Sequence, residues 1–315
     1  MKVDKKAIYE AADSLSNWGR WGSEDQIGTL NHIEPAHIVA AAGLVRKGKV
    51  FALGLPLDQK LQSGLFGGRW NPIHTMLATG TDAVAGNQDV SPNLRYADDA
   101  INLPCQCSTQ WDALAHIFLD DKMYNGYDAK LVDSGGAQKN GIEHTRNKMV
   151  GRGVLIDVAR YKKLASLPDG YAITSAELDA AANAQGVEIR KGDFVIVRTG
   201  QQEACLSRGE WGTYAGGDAP GLAFDTAYWV HAKNIAAICT DTWGCEVRPN
   251  ETKEANQPWH WVVIPKIGIS MGEIFYLKEL AEDCAEDGVY EFFFCAPPMN
   301  LPGGCGSPIN PQAIK

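Results

Sequence analysis

The stretch QCSTQWDALAH, from Gln106 to His116, concentrates polar side chains at a spacing that could hold a metal ion or a substrate. Gln106, Gln110, Asp112 and His116 follow one another at offsets of four, two and four residues. In an extended segment, residues two apart point to the same face, so Gln106, Gln110 and Asp112 would converge. His116 would lie beside them if a helix begins after Asp112. Acidic and imidazole groups at these offsets would bind a metal ion, and amides would donate hydrogen bonds.

This spacing resembles the signature of the cyclase-like metal-dependent hydrolases, the family of bacterial kynurenine formamidase and isatin hydrolase. The family motif runs His-x-Gly-Thr-His-x-Asp-x-x-x-His. In this chain, Gln106 and Gln110 stand at the first two His positions, whereas Asp112 and His116 match outright. In the family, the first two His residues and the Asp are metal ligands, and the last His is the proposed proton acceptor.

The resemblance extends over roughly residues 95–310. Further similar blocks are RTG, PGLAFDTAYWV, IAAICTDTWGCE and EDGVYEFFFCAPP. A His followed about a dozen residues later by a Glu supplies the remaining ligands in the family, and His260 with Glu273 fits that arrangement. The resemblance therefore implies a swivelling β/β/α domain with Asp112, His260 and Glu273 as metal ligands.

The two Gln residues bear on whether a metal is bound. An imidazole nitrogen is a good donor to Zn²⁺ or Mn²⁺, whereas an amide oxygen is a weak, uncharged ligand. Asp112, His260 and Glu273 still make a two-carboxylate, one-His site, with Gln110 as a long fourth contact. A divalent cation, Mn²⁺ or Zn²⁺, is the expected cofactor, and a metal-free site in which the same groups organise water is the alternative.

The chemistry that these residues favour is hydrolysis of a C–N or C–O acyl bond in a small, aromatic or cyclic substrate, such as a cyclic amide, a lactone or an N-formyl or aryl amide. His116 would take a proton from the attacking water. Gln106 and Gln110 would donate to the substrate carbonyl or the developing oxyanion. Further substrate contacts are expected from Trp111, His144, His74 and Trp70, with Phe66 and Trp21 as additional apolar walls.

Two other interpretations remain open. In the first, Cys107 or Ser108 is a nucleophile, with His116 or His144 as the base. It leaves Asp112 unused, and Cys107 would point to the opposite face of the strand. In the second, the chain is a non-catalytic small-molecule-binding protein that lost its metal site, although the retained acidic and imidazole groups argue against this.

Alternating strand and helix patterns surround these residues. The runs RGVLIDVA and DFVIVRTG are typical of buried strands, and Thr174 with Glu177 has the spacing of a capping box that opens a helix. Similar alternation to the end of the chain predicts an α/β fold with a mixed or mostly parallel sheet. We expect residues 1–95 to form a loop-rich and helical extension that covers the site, and residues 96–315 to form the hydrolase core, together in one compact unit.

Composition narrows the function further. The 315 residues carry a formal net charge of -9, and no long Lys/Arg run suggests nucleic acid or an anionic membrane as a partner. No stretch approaches a membrane span, and we expect a cytoplasmic protein. The eight cysteines include no CxxC pair and are expected to be thiols. The aromatic N-terminal loops predict a homodimer or homotetramer.

Overall fold

The computed structural model describes residues 2–62, 67–90 and 94–315. A mixed sheet of nine strands lies at the centre of the fold. The strands are β1 Val50–Ala52, β2 Ile73–Ala78, β3 Asp98–Asn102, β4 Gln110–Asp112, β5 Val132–Asp133, β6 Gly136–Ala137, β7 Val150–Asp157, β8 Ala172–Ile173, β9 Phe194–Arg198, β10 Gly221–Leu222, β11 Ala237–Thr240, β12 Ser270–Glu273, β13 Glu291–Cys295, β14 Gly306–Pro308 and β15 Gln312–Ile314.

The described residues also form helices, several of which contact this sheet. They are α1 Lys5–Ser14, α2 Pro35–Ala42, α3 Gly80–Val84, α4 Val158–Tyr161, α5 Ser175–Ala184, α6 Gln201–Arg208, α7 Thr226–Lys233, α8 Pro258–Val262 and α9 Lys278–Asp287. A π-helical turn, Val263–Ile267, continues α8, and short 3₁₀ turns occur at Gly28–His32, Tyr124–Gly126, Ala129–Leu131 and Ile142–Thr145. None of the helices in the described ranges is long and apolar enough to cross a membrane.

The strand order in the central sheet is β1-β15-β13-β7-β9-β11-β12-β4-β14. β7, β9, β11 and β12 run parallel, and the strands on both sides of them are antiparallel. β9 is buried at all five positions, as its β-branched sequence predicts for a strand covered on both faces. The predicted α/β fold class with a mixed sheet is confirmed.

A local signal in the sequence accounts for the start of α5. The Thr174 hydroxyl accepts a hydrogen bond from the N–H of Glu177, and the Glu177 carboxylate accepts one from the N–H of Thr174. The predicted capping box therefore begins α5.

Residues 1–95 contribute β1, which pairs with β15 at the edge of the central sheet. The domain division at residue 95 stays a prediction.

The segment before Asp112 differs from the extended strand expected from Gln106 onward. β4 begins only at Gln110, and a turn precedes it in which the N–H of Cys107 donates to the carbonyl of Pro104 at 3.1 Å. The strand is this short because its two neighbours in the sheet, β12 and β14, each pair with residues 110–112 alone. The helix expected after Asp112 is also absent: His116 lies in a tight turn, its N–H bonded to Ala113.

Candidate active site

Asp112, His260 and Glu273 come together at one end of the central sheet. One ligand atom from each lies within 4.8 Å of the other two, and all three residues are buried. His260 Nε2 lies 3.5 Å from Oε1 of Glu273. The three residues proposed as metal ligands from the sequence therefore form a single donor group in the structure.

Strand register explains why the two carboxylates meet. β4 and β12 are antiparallel neighbours, with Gln110 directly opposite Glu273. Residues opposite each other share a face, and Asp112 shares the face of Gln110 because it is two residues further along. His260 reaches the same point from α8, whose first residue is Pro258.

Glu246 fixes the orientation of His260. Its Oε1 lies 2.5 Å from Nδ1 of His260 and accepts the backbone N–H of His260 at 3.0 Å, while Oε2 accepts the N–H of Trp259 at 3.3 Å. Because a carboxylate occupies Nδ1, Nε2 is the nitrogen of His260 that faces Asp112 and Glu273. Many metal-binding His residues are oriented in this way. The sequence places Glu246 just after a strand, but gives no sign that it reaches His260.

Gln110 belongs to the same cluster, with its amide directed at the carboxylates. Nε2 donates to Oε2 of Glu273 at 2.7 Å and lies 3.4 Å from Oδ1 of Asp112. Its Oε1 is buried without a hydrogen-bond partner among the described residues. In this geometry the amide N–H groups of Gln110 serve Glu273 and Asp112, in place of the contact to a substrate carbonyl that the sequence suggested.

His116 stands beside the donor group without being part of it. Its Nε2 lies 3.8 Å from Oδ1 of Asp112, and its side chain retains 22% exposure toward the cavity. Burial lowers the pKa of His116, with Asp112 opposing that shift, so the ring is neutral near pH 7. A neutral imidazole in contact with solvent can accept a proton.

The buried charges shift one another's protonation. Burial raises the pKa of Asp112 to about 6, with the charge of Glu273 adding to the rise and His116 opposing it. Burial lowers the pKa of His260, but hydrogen bonds to Glu246 and Glu273 outweigh it and raise the value to about 10. Without a cation, the imidazole of His260 is therefore protonated at neutral pH.

A cavity of about 190 Å³ opens onto these groups. It is lined by Arg69, Asp112, His116, Ile117, Trp243, Gln257, His260 and Glu273. Four of these lining residues, Arg69, Ile117, Trp243 and Gln257, were not predicted from the sequence. The signals available were the position of Arg69 in a glycine-rich aromatic loop and of Trp243 just after the strand β11.

The other residues expected at the site lie outside this cavity lining. Gln106 lies against Gly306 of β14. A Cβ atom added to Gly306 would be only 2.5 Å from Nε2 of Gln106. Trp111 is fully buried, packed on Phe275 and Phe294, so it belongs to the core.

The remaining substrate candidates do not line this cavity. His144 pairs with Glu143, His74 lies on β2 with its Nε2 2.7 Å from Asp99, and Trp70 is about half exposed. Trp21 packs on His32. Phe66 lies outside the described residues.

The two candidate nucleophiles are buried. Burial raises the pKa of Cys107 to about 11, so this side chain is a thiol at neutral pH. Ser108 Oγ is enclosed and has no hydrogen-bond partner in the described part of the chain. Neither residue lines the cavity at His116, so the geometry does not support nucleophilic catalysis from this turn.

The donor group fits a divalent cation. Two carboxylates and one imidazole with a cavity on the open side are a typical catalytic ligand set. Gln110 contacts this group through its Nε2, and its Oε1 is a buried oxygen without a hydrogen-bond partner among the described residues. A cation there would compensate the buried charge of Asp112, whose pKa burial raises.

Comparison with known proteins gives one family match and several similar structures. The family model described as "Putative cyclase" matches residues 29–247. The crystal structure of a novel cyclase is 40% identical in sequence, with a TM-score of 0.86 over 95% of this chain and 99% of that chain. No curated protein matches the chain.

More distant structures share the fold. Isatin hydrolase A from Ralstonia solanacearum is 17% identical, with a TM-score of 0.62 over 88% of this chain and 94% of that chain. An isatin hydrolase bound to the product analogue thioisatinate is 15% identical, with a TM-score of 0.61 over 89% of this chain and 98% of that chain.

Proposed function

The chain belongs to the cyclase family, and from this premise we propose that it is a metal-dependent hydrolase that opens a C–N or C–O acyl bond of a small cyclic or aromatic compound. The observation that carries the proposal is the convergence of Asp112, His260 and Glu273 on a cavity that also contains His116. The isatin hydrolases of the same fold perform chemistry of this class, which supports the choice.

Asp112, His260 and Glu273 would hold the cation, with Mn²⁺ or Zn²⁺ as the candidates. When bound, a divalent cation supplies Lewis-acid polarisation of an acyl carbonyl and lowers the pKa of water. The surrounding chain keeps the donors in position: Glu246 orients the imidazole, and Gln110 holds Glu273. Partners of this kind typically contribute 10- to 100-fold to metal affinity.

His116 is the proton acceptor in this mechanism. As water adds to the acyl carbon, one of its protons passes to Nε2 of His116 and the C–N or C–O bond breaks. The imidazolium then returns the proton to the departing nitrogen or oxygen, and the acyl group becomes a carboxylic acid that ionises, within the same molecule when the substrate is cyclic. Asp112, 3.8 Å from Nε2, stabilises the imidazolium between these steps.

The test begins with the metal content of protein purified without chelator. The same preparation is then assayed with lactones, cyclic amides including isatin, and N-formyl aryl amines. We expect about one equivalent of metal and turnover that EDTA abolishes and added Mn²⁺ or Zn²⁺ restores. Asp112→Asn should lose both metal and turnover. Binding of these compounds without turnover in the metal-loaded protein would favour the non-catalytic interpretation.

A further inference from the structure

Gln257 carries the one carboxamide among the described residues that line the cavity. It is half-buried, and its backbone N–H donates to Oδ1 of Asn250 at 2.9 Å. Its side-chain amide, by contrast, makes no hydrogen bond within residues 2–62, 67–90 and 94–315. An amide on a cavity wall that has no such partner can offer its N–H groups and its oxygen to a bound molecule.

The backbone of Gln257 is held in an uncommon conformation. The residue directly precedes α8 and has φ 55° and ψ 56°, in the left-handed region that residues other than glycine seldom adopt. Most residues at this position before a helix are extended. A backbone of this kind costs free energy, persists where its surroundings impose it, and occurs most often at functional sites.

Asn250 links this backbone to the candidate metal ligands. Its Nδ2 donates to Oε2 of Glu246 at 3.1 Å, and its Oδ1 accepts the N–H of Gln257. Oε1 of Glu246 in turn contacts Nδ1 of His260. Gln257 and His260 are thus connected to one carboxylate, so the backbone of Gln257 has a fixed position relative to the donor group.

Gly244 leaves room for the side chain of Gln257. A Cβ atom added to Gly244 would lie 3.1 Å from Nε2 of Gln257, closer than most contacts of a methyl group. Any side chain at position 244 would therefore push the amide away from the place that it now occupies on the cavity wall.

The other groups on the wall indicate what this amide would bind. The carboxylates of Asp112 and Glu273 and the neutral imidazole of His116 can accept hydrogen bonds, whereas the oxygen of an acyl group needs a donor. Gln110 was predicted to be such a donor, but its N–H groups serve the two carboxylates. A second carboxamide, that of Gln257, supplies donors in the cavity without adding charge.

We propose that Gln257 binds the oxygen of the scissile acyl group, with Nε2 donating the hydrogen bond. The inference rests on the proposed function for the identity of the reacting group, and it adds a residue that orients this group. As water adds to the acyl carbon, negative charge develops on the bound oxygen, and a donor already in place there stabilises that charge.

The test uses two compounds that cannot undergo acyl hydrolysis. One is 1-indanone, which carries a ketone oxygen, and the other is indoline, a ring system of the same size without that oxygen. Their dissociation constants are measured by calorimetry on the protein as purified, for wild type, Gln257→Met, Gln257→Glu and Gln138→Met. Methionine has the length of glutamine without its amide, and an ionised glutamate cannot donate. Gln138 is a matched control because it is an exposed glutamine outside the cavity lining.

Wild type should bind 1-indanone more tightly than indoline. We expect this preference to fall by about 2- to 10-fold in Gln257→Met and in Gln257→Glu, the contribution of one uncharged hydrogen bond. Gly244→Ala should lower the preference as well, because the added methyl group displaces Nε2 of Gln257. Gln138→Met should keep it. An indoline affinity in Gln257→Met equal to that of wild type would show an intact cavity.

A wild type that binds the two compounds alike, or a full wild-type preference in Gln257→Met, would overturn the proposal. Should Gln257→Met not fold, a full preference in Gln257→Glu would overturn it equally. Failure of the proposed hydrolase is recognised separately, by metal content and turnover, since neither binding compound needs to react.

Discussion

Nε2 of Gln110 lies 2.7 Å from Oε2 of Glu273, across the pair of antiparallel strands β4 and β12. Gln110 occupies a position where the family motif has a metal-binding His. In this chain the residue instead donates to a neighbouring carboxylate, which we propose to be one of the ligands of the cation.

Gln110→Leu should weaken Mn²⁺ binding by about 10- to 100-fold, because Glu273 loses the donor that orients it. Calorimetric titration of metal-free protein measures the effect. Gln106→Leu is the matched control from the same motif, since Gln106 lies against Gly306 and should leave the affinity unchanged. Equal affinities for wild type and Gln110→Leu would show that the contact to Glu273 does not matter for the metal.

His116→Gln should reduce kcat by about 10²–10⁴-fold on any substrate that the assay identifies, because a positioned general base is lost. Metal content should not change, since His116 is outside the donor group. His144→Gln tests the specificity of the result, as that ring pairs with Glu143 away from the cavity lining. Near-normal kcat in His116→Gln would remove this residue from the mechanism.

His32 should make the fold sensitive to acid. Burial, with Arg20 and other nearby positive charge adding to it, lowers the pKa of His32 from 6.5 to about 4. Between these values the unfolded chain binds a proton that the folded chain does not, so the stability present above pH 6.5 is lost as the pH falls toward 4. His32→Phe should lose less Tm than wild type between pH 7 and 4.5, and the exposed His74→Phe should behave like wild type.

The ribbon of β2 and β3 is exposed along both strands, with Ile73 54% and Leu77 68% accessible. Because an isolated two-stranded ribbon is marginal in water, we propose that a second copy of the chain covers it in a symmetric dimer. Leu77→Asp should then yield the 34.1 kDa monomer in light scattering. Leu164→Asp, at another exposed leucine, should remain dimeric. A monomeric wild type at working concentration would contradict the proposal.

Local patterns allowed much of the fold to be predicted from the sequence. The capping box at Thr174 and the buried strand β9 depend on residues close in the chain, and both occur where the pattern placed them. The length of β4 was not predictable in this way, because it is set by partners more than 150 residues further along. Residues 105–109 therefore turn where an extended strand was expected.

The site shows the same division between local and distant causes. Asp112, His116, His260 and Glu273 were chosen through motif spacing and lie together. Their surroundings could not be predicted from motif spacing. The contact of Glu246 with His260, for example, joins the segment after β11 to the start of α8. Arg69 was not predicted either, because only the structure shows that this loop residue lines the cavity.

Glu246 receives the first backbone N–H groups of α8 and the imidazole of His260 on one carboxylate. Local unfolding of this helix would therefore release a metal ligand, and metal binding must resist that opening by thermodynamic linkage. The amides of Trp259 and His260 should exchange with deuterium more slowly as metal is added, by a factor that approaches one plus the ratio of free metal to its Kd where exchange requires the metal-free open state. Hydrogen exchange at α8 would then report how full the site is, with no substrate present.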